Sequence, residues 1–322
     1  MSIGVVVIGR NEGERLRRCL QSLGRVASQV VYVDSGSTDG SIEAARALGA
    51  EVVALDLRLP FTAARARNEG YRRLRDLAAD AKYVQFVDGD CELAAGWLEK
   101  AARFLDEHPG VAAVCGRLRE RFPQRSVYNM LCDIEWDRPA GEAKACGGNS
   151  MMRAGAFESV GGFRADVAAG EEPELCVRLR AAGWRIWRLS EEMALHDAAM
   201  TRFGQWWRRS RRNGRAFAEG AWLHGAPPER HYVREARRAL LWGVVLPAGI
   251  VAAAVVNPLW LGLALIYPLQ VVRIATRGDL AGRKAWLRAA FLILGRFPEG
   301  LGHLDFTHDR ILQKRGRQIE SQ

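Results

Sequence analysis

Paired cysteines are missing from this chain. Its six cysteines (Cys19, Cys91, Cys115, Cys132, Cys146 and Cys176) are widely spaced and none forms a CxxC unit. That favours reduced thiols in a cytosolic compartment over zinc or disulfides. There is no internal repeat or low-complexity tract. No signal peptide is expected, because Met1-Ser2 leads straight into a strand and no cleavage-like site follows, so the large domain is expected to stay in the cytoplasm. Acidic residues are in deficit, 37 against 47 basic ones, for a net charge of +10. The excess sits in arginines between Arg202 and Arg238 and again beyond Arg273, which implies an anionic partner such as phospholipid, nucleotide or nucleic acid. With 322 residues, 48% hydrophobic and 26% charged, the chain is neither disordered nor polytopic on average. It is long enough to bury a large core in one large domain or two.

What is present begins as strand, loop and helix in alternation. Gly4–Ile8 is a β-branched run followed by Arg10-Asn11-Glu12-Gly13 and a helical pattern through Leu16, Cys19, Leu20 and Leu23. Val30–Val33 is a second strand, ending in Asp34-Ser35-Gly36-Ser37-Thr38-Asp39-Gly40, where Thr38 or Asp39 is suited to cap a helix running to Leu48. Glu51–Ala54 is a third strand, and Phe61–Leu77 is Ala/Arg-rich and helical. Tyr83–Val87 is a fourth strand, and its tip carries Asp88-Gly89-Asp90. This is the pattern of a doubly wound, mostly parallel sheet, in which the loops after the strands face one ligand crevice. A further helix reaches Leu105, and Val111–Val114 is a strand. Arg117–Ala143 reads as an irregular connection near the site. Gly147-Gly148-Asn149-Ser150 precedes a short strand, Gly161-Gly162-Phe163 is a turn, and Glu171-Glu172-Pro173-Glu174 opens a helix that Gly183 ends. Trp184–Leu189 is a strand.

From Gln205 the composition shifts. Trp206-Trp207-Arg208-Arg209 to Phe217 is a basic, aromatic helix suited to a membrane interface. Leu240–Val256 is an uncharged apolar run broken by Asn257-Pro258, and Leu259–Val272 is a second. At 1.5 Å per residue they span about 25 and about 21 Å, just short of a bilayer core of about 30 Å. Arg234, Arg237 and Arg238 precede the pair; Arg273, Arg277, Arg283 and Lys284 follow it. Positive charge at both ends predicts a hairpin, spanning or re-entrant, with both ends in the cytoplasm. A helical pair buried in a soluble core is the alternative. Trp286–Phe297 reads as another interfacial helix, and the tail from Lys314 to Gln322 as unstructured. The expected division is therefore 1–215 for the large domain, 216–238 for a basic interfacial linker, 239–275 for the hairpin and 276–322 for an interfacial helix and tail.

Two aspartates at a strand tip repel unless a cation lies between them, and hard divalent ions take such oxygen ligands. The same residues also read as an Asp-Gly turn with both acids solvated. The rest of the chain favours the first reading. Val6-Val7-Ile8 with Arg10-Asn11-Glu12, the Val33–Gly40 loop, Ala66-Arg67-Asn68, Phe86–Asp90, Gly147-Gly148-Asn149, Gly161-Gly162-Phe163 and Gly170–Leu175 follow in order. Over residues 1–215 or so the sequence resembles the family 2 glycosyltransferases. The resemblance implies a GT-A fold (Rossmann-like, mostly parallel sheet) followed here by membrane-associated helices. It also implies inverting, Mg²⁺- or Mn²⁺-dependent transfer from a nucleotide-diphosphate sugar.

The resemblance further implies roles. Arg10, Glu12, Asp34, Ser35, Gly36, Arg67, Asn68, Asp88 and Gly89 would hold the nucleotide sugar, Glu12 and Asp34 reading base and ribose and Arg67 the diphosphate. Asp90, with Asp88 and His196, would hold the metal. Glu172 stands where the family places its catalytic aspartate and would be the general base, with Glu171 or Glu174 as alternatives; acids in a helix's first turn are also expected from the dipole alone. Gly148, Asn149, Gln205, Trp206 and Arg208 are candidates for the acceptor or diphosphate. Gln205-Trp206-Trp207-Arg208 only partly resembles the QxxRW motif of processive members, since Arg209 stands where the tryptophan would be. Single-sugar transfer to a polyprenyl-phosphate- or other lipid-linked acceptor is therefore expected, at the cytoplasmic membrane face and in glycan or cell-envelope assembly. A processive synthase subunit and a non-catalytic membrane scaffold are the rivals. No nucleic-acid partner is expected.

Overall fold

The apolar runs of the N-terminal half become the strands of one sheet in the structure, a computed structural model that describes residues 2–320 apart from 25, 26, 28 and 60. The chain divides into two compact units, Met1–Ala199 and Met200–Gln322. The expected boundary at 215 falls inside helix α8 (Phe203–His224), which runs unbroken through it.

In the first unit, β1 (Ile3–Gly9), β2 (Gln29–Asp34), β3 (Glu51–Ala54) and β4 (Tyr83–Asp88) pair in parallel in the order β3-β2-β1-β4. The intervening helices α1 (Glu14–Ser22), α2 (Ser41–Ala47) and α3 (Ala63–Leu77) make the crossovers. Val5, Val6 and Val7 are all fully buried, so this part of the sheet is covered on both faces, as its continuous apolar runs require. A Cβ at Gly70 of α3 would stand 2.7 Å from Val33 and would also run into Val6; the missing side chain lets the helix lie against the sheet. The register sets Gly9 opposite Asp34 and Ile8 opposite Asp88. The carboxylates at the tips of β2 and β4 therefore share one edge, where a ligand crevice belongs.

Beyond β4 the sheet is mixed. Order continues β8 (Ser150–Arg153), β6 (Val111–Glu120), β9 (Arg185–His196), β5 (Cys91–Leu93), and β7 (Gly141–Ala143) also pairs with β9. Strand β8 runs antiparallel to β4 and β6, while β6 and β9 are parallel. Three expectations change. The segment 117–143 is ordered, completing β6 and then forming α5 (Val127–Trp136) and β7. Strand β9 runs seven residues past Leu189, so His196 is its last residue rather than a loop residue. The N-cap of α2 is Gly40 in the left-handed conformation, while Asp39 accepts hydrogen bonds from the Ser41 amide (3.1 Å) and hydroxyl (2.6 Å). The remaining helices here are α4 (Trp97–Glu107), α6 (Ala154–Ser159) and α7 (Glu171–Ala181).

In the second unit two helices are long and apolar enough to cross a membrane, Val233–Val256 with 24 residues and Pro258–Arg277 with 20. The first comprises α9 (Val233–Leu240), a π-turn at Leu241–Val245 and α10 (Leu246–Val256). The second is a 3₁₀ stretch (Pro258–Leu265) and α11 (Ile266–Arg277). Each exceeds its apolar run because the helix continues into the charged flank; the first is about 36 Å long. Only 11% and 6% of their apolar windows are buried, unlike the buried pair of a soluble core. After α12 (Gly282–Leu294), Gly295 breaks the expected Trp286–Phe297 helix, and α13 (Arg296–Glu320) carries helical backbone through most of the tail expected to be unstructured. Residues 321 and 322 lie outside the described ones. A Cβ at Gly214 would run into the Glu299 carbonyl, and one at Gly302 into that of Arg211, so α8 and α13 meet backbone to backbone. Arg211–Asp305 and Arg215–Asp309 pairs, both at 2.6 Å, flank that contact.

Candidate active site

Strand β4 ends in Asp88, and the Gly89 amide donates to the Ile8 carbonyl (2.8 Å), holding the tip of β4 against β1. Asp88 is held on both sides. Arg67 Nη2 donates to its Oδ1 (2.7 Å), and the Asn149 amide group donates to Oδ2 (3.3 Å) while accepting from the Asp88 amide (2.9 Å). The other end of the Arg67 fork donates to Glu171 Oε1 (2.6 Å). The guanidinium lies over the Phe163 ring (5.6 Å to its centroid), on a cluster with Phe86 and Phe157. Arg67 is only 3% exposed. Expected at the diphosphate, it joins Asp88 on β4 to Glu171 on α7. A Cβ at Gly148 would stand 2.5 Å from Arg67 Nη2 and 3.1 Å from Asp88 Oδ2, so the glycine lets the loop close over this bridge.

Arg67→Ala would leave two carboxylates without their cation. The expected loss is about 3 kcal/mol, at the lower end for a buried pair because Asp88 keeps a third of its side chain exposed. Arg67→Lys should recover only part of it, since an ammonium cannot hold two carboxylates in a planar fork. Thermal unfolding of the two variants checks both values, and an unchanged melting temperature in Arg67→Ala would dismiss the bridge.

The DxD turn meets the far end of the sheet through strand pairing, with Cys91 opposite His196. His196 Nε2 lies 3.3 Å from Asp90 Oδ2, and Trp136 packs edge-on against the imidazole (4.6 Å). Glu120 Oε2 is 3.9 Å from His196 Nδ1, too far for a hydrogen bond. Burial opposes charge on His196, but Asp90, Glu120 and Asp88 outweigh it and push its pKa up to about 10. Burial likewise opposes charge on Asp90, yet His196 and Arg15 hold its carboxyl below the usual range.

The residues fit a hard divalent ion. Asp90 and His196 lie in a group whose ligand atoms are all within 4.8 Å of one another. His196 Nδ1 is buried without a hydrogen-bond partner among the described residues, and carboxylate oxygens with one imidazole are a donor set that Mg²⁺ or Mn²⁺ accepts. Cys91, also in that group, has its thiol held protonated by burial and the acids around it, so it is no ligand for such an ion.

Helix α7 presents its acids three ways. Glu174 is buried and bound by Arg178 (2.7 Å), which also donates to the Val160 and Gly162 carbonyls. Glu171 faces Arg67. Glu172 is 4% exposed, and its Oε1 takes the Cys146 amide (2.6 Å) and the thiols of Cys146 (3.1 Å) and Cys176 (3.0 Å). Contact with Cys176 lowers the Cys146 pKa, but burial and Glu172 raise it more; the Cys176 thiol is pushed well up by Cys146, burial and Glu172. Both stay protonated donors. All three donors fall on Oε1, which leaves Oε2 for the cleft that Glu172 lines. That cleft, about 690 Å³, is also lined by Asp88, Trp136, Gly148, Asn149 and His196.

The loop after β2 is built around Asp34, 1% exposed, which accepts from Tyr32 Oη (3.0 Å) and the Gly36 and Ser37 amides (both 2.8 Å). Asn11, at φ 56°, ties the two loops together by accepting from the Thr38 amide and donating its own to Ser37 Oγ, both 2.8 Å. Ser35 is buried, Gly36 takes φ 87°, and Arg10 is exposed on the same edge. Glu12 pairs with Arg15 (2.6 Å) and lies against Gly89; burial and Asp90, partly offset by Arg15, push its pKa up to about 7.

Three expectations part from the geometry. Asn68 gives both ends of its amide to the Phe163 backbone (2.6 and 3.0 Å), fastening the Gly161-Gly162-Phe163 turn to α3, so it is a clamp and not a ligand contact. Gln205 accepts from the Thr201 and Arg202 amides (both 2.9 Å) to start α8, and Trp206 is buried against Phe291 (5.0 Å). Trp206 thus serves packing in the second unit, while Phe203, Trp222 and Arg208 of α8 are exposed. Sequence reasoning also missed Cys146 and Cys176. Cys176 is one helical turn from Glu172, a spacing that places it on the same face; nothing in the sequence marks Cys146.

Residues 4–161 match the family model described as Glycosyl transferase family 2. The chain is 24% identical over 211 residues to glycosyltransferase AglE of Haloferax volcanii, covering 61% of this chain and 67% of that one. It is 27% identical over 263 residues to succinoglycan biosynthesis protein ExoA of Rhizobium meliloti, covering 75% and 77%. It is 28% identical over 209 residues to the pre-mycofactocin glycosyltransferase of Mycobacterium tuberculosis, of which it spans 42%. Among solved structures, the mannosyltransferase PcManGT of Pyrobaculum calidifontis, in complex with GDP-mannose and Mn²⁺, aligns with a TM-score of 0.65 over 94% of this chain and 86% of that one. At 22% identity this is a likeness of fold. The motif series stands in order along a GT-A-type sheet with its acids gathered at one edge, and the family model matches the part that carries β1 to β8: residues 4–161 are a family 2 glycosyltransferase domain.

Proposed function

We propose that the protein transfers a single sugar, with inversion, from a nucleotide-diphosphate sugar to a lipid-linked acceptor at the cytoplasmic face of a membrane. The step belongs to glycan or cell-envelope polysaccharide assembly. The observation that carries the reading is the shared cleft: Glu172, Asp88 and His196 line one cavity of about 690 Å³, so a base and a metal site face the same space. Asp90 and His196, with Asp88, would hold Mg²⁺ or Mn²⁺, which neutralises charge on the departing diphosphate. The GDP-mannose and Mn²⁺ in the Pyrobaculum structure support that choice.

Glu172 Oε2 takes the proton from the acceptor hydroxyl. That oxygen bonds to the anomeric carbon from the face opposite the diphosphate, the bond to the diphosphate breaks, and nucleoside diphosphate leaves. Asp88, steadied by Arg67 and Asn149, and the loops carrying Arg10, Glu12, Asp34, Ser35 and Gly36 would seat the nucleotide sugar. The lipid acceptor and membrane face rest on the two exposed apolar helices and on arginines at both of their outer ends.

The test is release of nucleoside diphosphate by the purified full chain from a panel of nucleotide sugars, with Mn²⁺ or Mg²⁺, with and without membrane lipid extract. One donor is expected to react, only with metal, and faster with lipid. Polymer as the product would instead assign a processive synthase subunit. Metal-independent lipid binding with no release from any donor would leave only a scaffold.

A further inference from the structure

A cavity of about 620 Å³ in the second unit is lined by Arg238, Arg273, Arg277 and Arg296 around apolar walls that include Trp242 and Ile274, and no carboxylate lines it. Arg296 is paired with Glu299 (2.7 Å). Among the described residues, Arg238, Arg273 and Arg277 make no ion pair. Glu235, on the same helix as Arg238, offsets part of that charge, but like charges in excess raise the free energy of a fold unless an anion joins them. Guanidinium forks suit the oxygens of a phosphate.

The position narrows the ligand. Arg238 lies about 27 Å along its helix from Val256, and Arg273 and Arg277 about 30 Å from Pro258. A hairpin that crosses a core of about 30 Å therefore sets this cavity at the level of the lipid head groups. Above it the apolar residues face outward, with Val255, Val256 and Leu259 more than 80% exposed. The cavity thus combines arginines with apolar lining residues in the same unit as these exposed apolar helices.

We infer that the cavity binds the phosphate head of a long-chain lipid whose hydrocarbon runs along the hairpin, a reading that rests on the membrane placement proposed above. The full chain in phosphatidylcholine nanodiscs is titrated with a polyprenyl monophosphate, phosphatidylglycerol and inorganic phosphate, and bound lipid is counted by native mass spectrometry. One or both phosphate lipids are expected to bind well above the phosphatidylcholine background, and the tighter of them identifies the source. R273Q/R277Q should weaken that binding at least about 10-fold, R273K/R277K should restore part of it, and metal-dependent hydrolysis of the donor without acceptor should be unchanged in both. Equal binding by wild type and R273Q/R277Q, or inorganic phosphate binding as tightly as the lipids, would overturn the site while leaving the hairpin in the membrane. Failure of the chain to enter phosphatidylcholine nanodiscs would overturn the membrane placement and the site with it.

Discussion

Asp90→Ala is expected to lower metal-dependent sugar transfer at least about 10³-fold, because charge on the leaving diphosphate would lose the ion that offsets it. The fold should survive. Asp90 joins the sheet edge through its backbone, its carbonyl accepting from the Asp197 amide (3.1 Å), and alanine keeps that bond. The side chain contributes the contact to His196 and the ligand oxygens. Binding of Mn²⁺, read by the loss of its free paramagnetic resonance signal, should weaken in step with activity, while the far-ultraviolet circular dichroism stays that of the wild type. His196→Ala should weaken Mn²⁺ less, since it removes one neutral ligand from a site whose charge comes from carboxylates. Wild-type turnover and Mn²⁺ affinity in Asp90→Ala would discard this metal site.

Glu172→Gln separates the base from the other acids of α7. The substitution is isosteric, and the amide oxygen can still accept from the Cys146 amide and the two thiols, so the helix start is kept. Proton removal is lost, and kcat should fall by about 10²–10⁴ with little change in donor KM or Mn²⁺ affinity. Glu171→Gln should act differently, releasing Arg67 and raising donor KM along with any fall in kcat. Glu174→Gln should reduce thermal stability, because Arg178 and the Gly161-Gly162 turn hang on that carboxylate. C146A/C176A removes two of the three donors to Oε1 and is expected to change kcat far less than Glu172→Gln. The base assignment fails if Glu172→Gln keeps wild-type kcat while Glu171→Gln loses it.

The parts of the fold that were legible are those where one strand declares itself alone. Val6-Val7-Ile8, Val31-Tyr32-Val33 and Tyr83–Val87 are apolar runs closed by acids and glycines, and each became a strand with its acid at the crevice edge. Strand β9 was cut short because Ser190-Glu191-Glu192 breaks the apolar pattern; the pairing with β6 steps over Ser190 and Glu191 in a bulge and resumes at Glu192, and that partner lies some seventy residues earlier. The basic, aromatic pattern of α8 was read as a lipid-facing surface, yet Trp206 faces Phe291. A sequence shows that a face is apolar and not what covers it. The bridge that Arg67 makes was not legible, because its partners Asp88 and Glu171 stand at the end of β4 and the start of α7, far apart in sequence. The Asp88-Gly89-Asp90 turn at the tip of β4 was legible, a local signal, whereas the thiol support of Glu172 was not, since Cys146 reaches it only through the folded loop.

The pairing of Cys91 with His196 has a bearing on biosynthesis. The residues proposed to hold the metal lie just before β5 (Asp88 and Asp90) and at the end of β9 (His196), and the intervening chain must supply β6, β7 and β8 before they meet. Contacts so distant in sequence form late, since the loop must close before they contribute. A chain emerging from the ribosome should therefore carry a folded parallel half, β1 to β4, well before it can hold a divalent ion. Metal capture would then mark the moment when the sheet is complete.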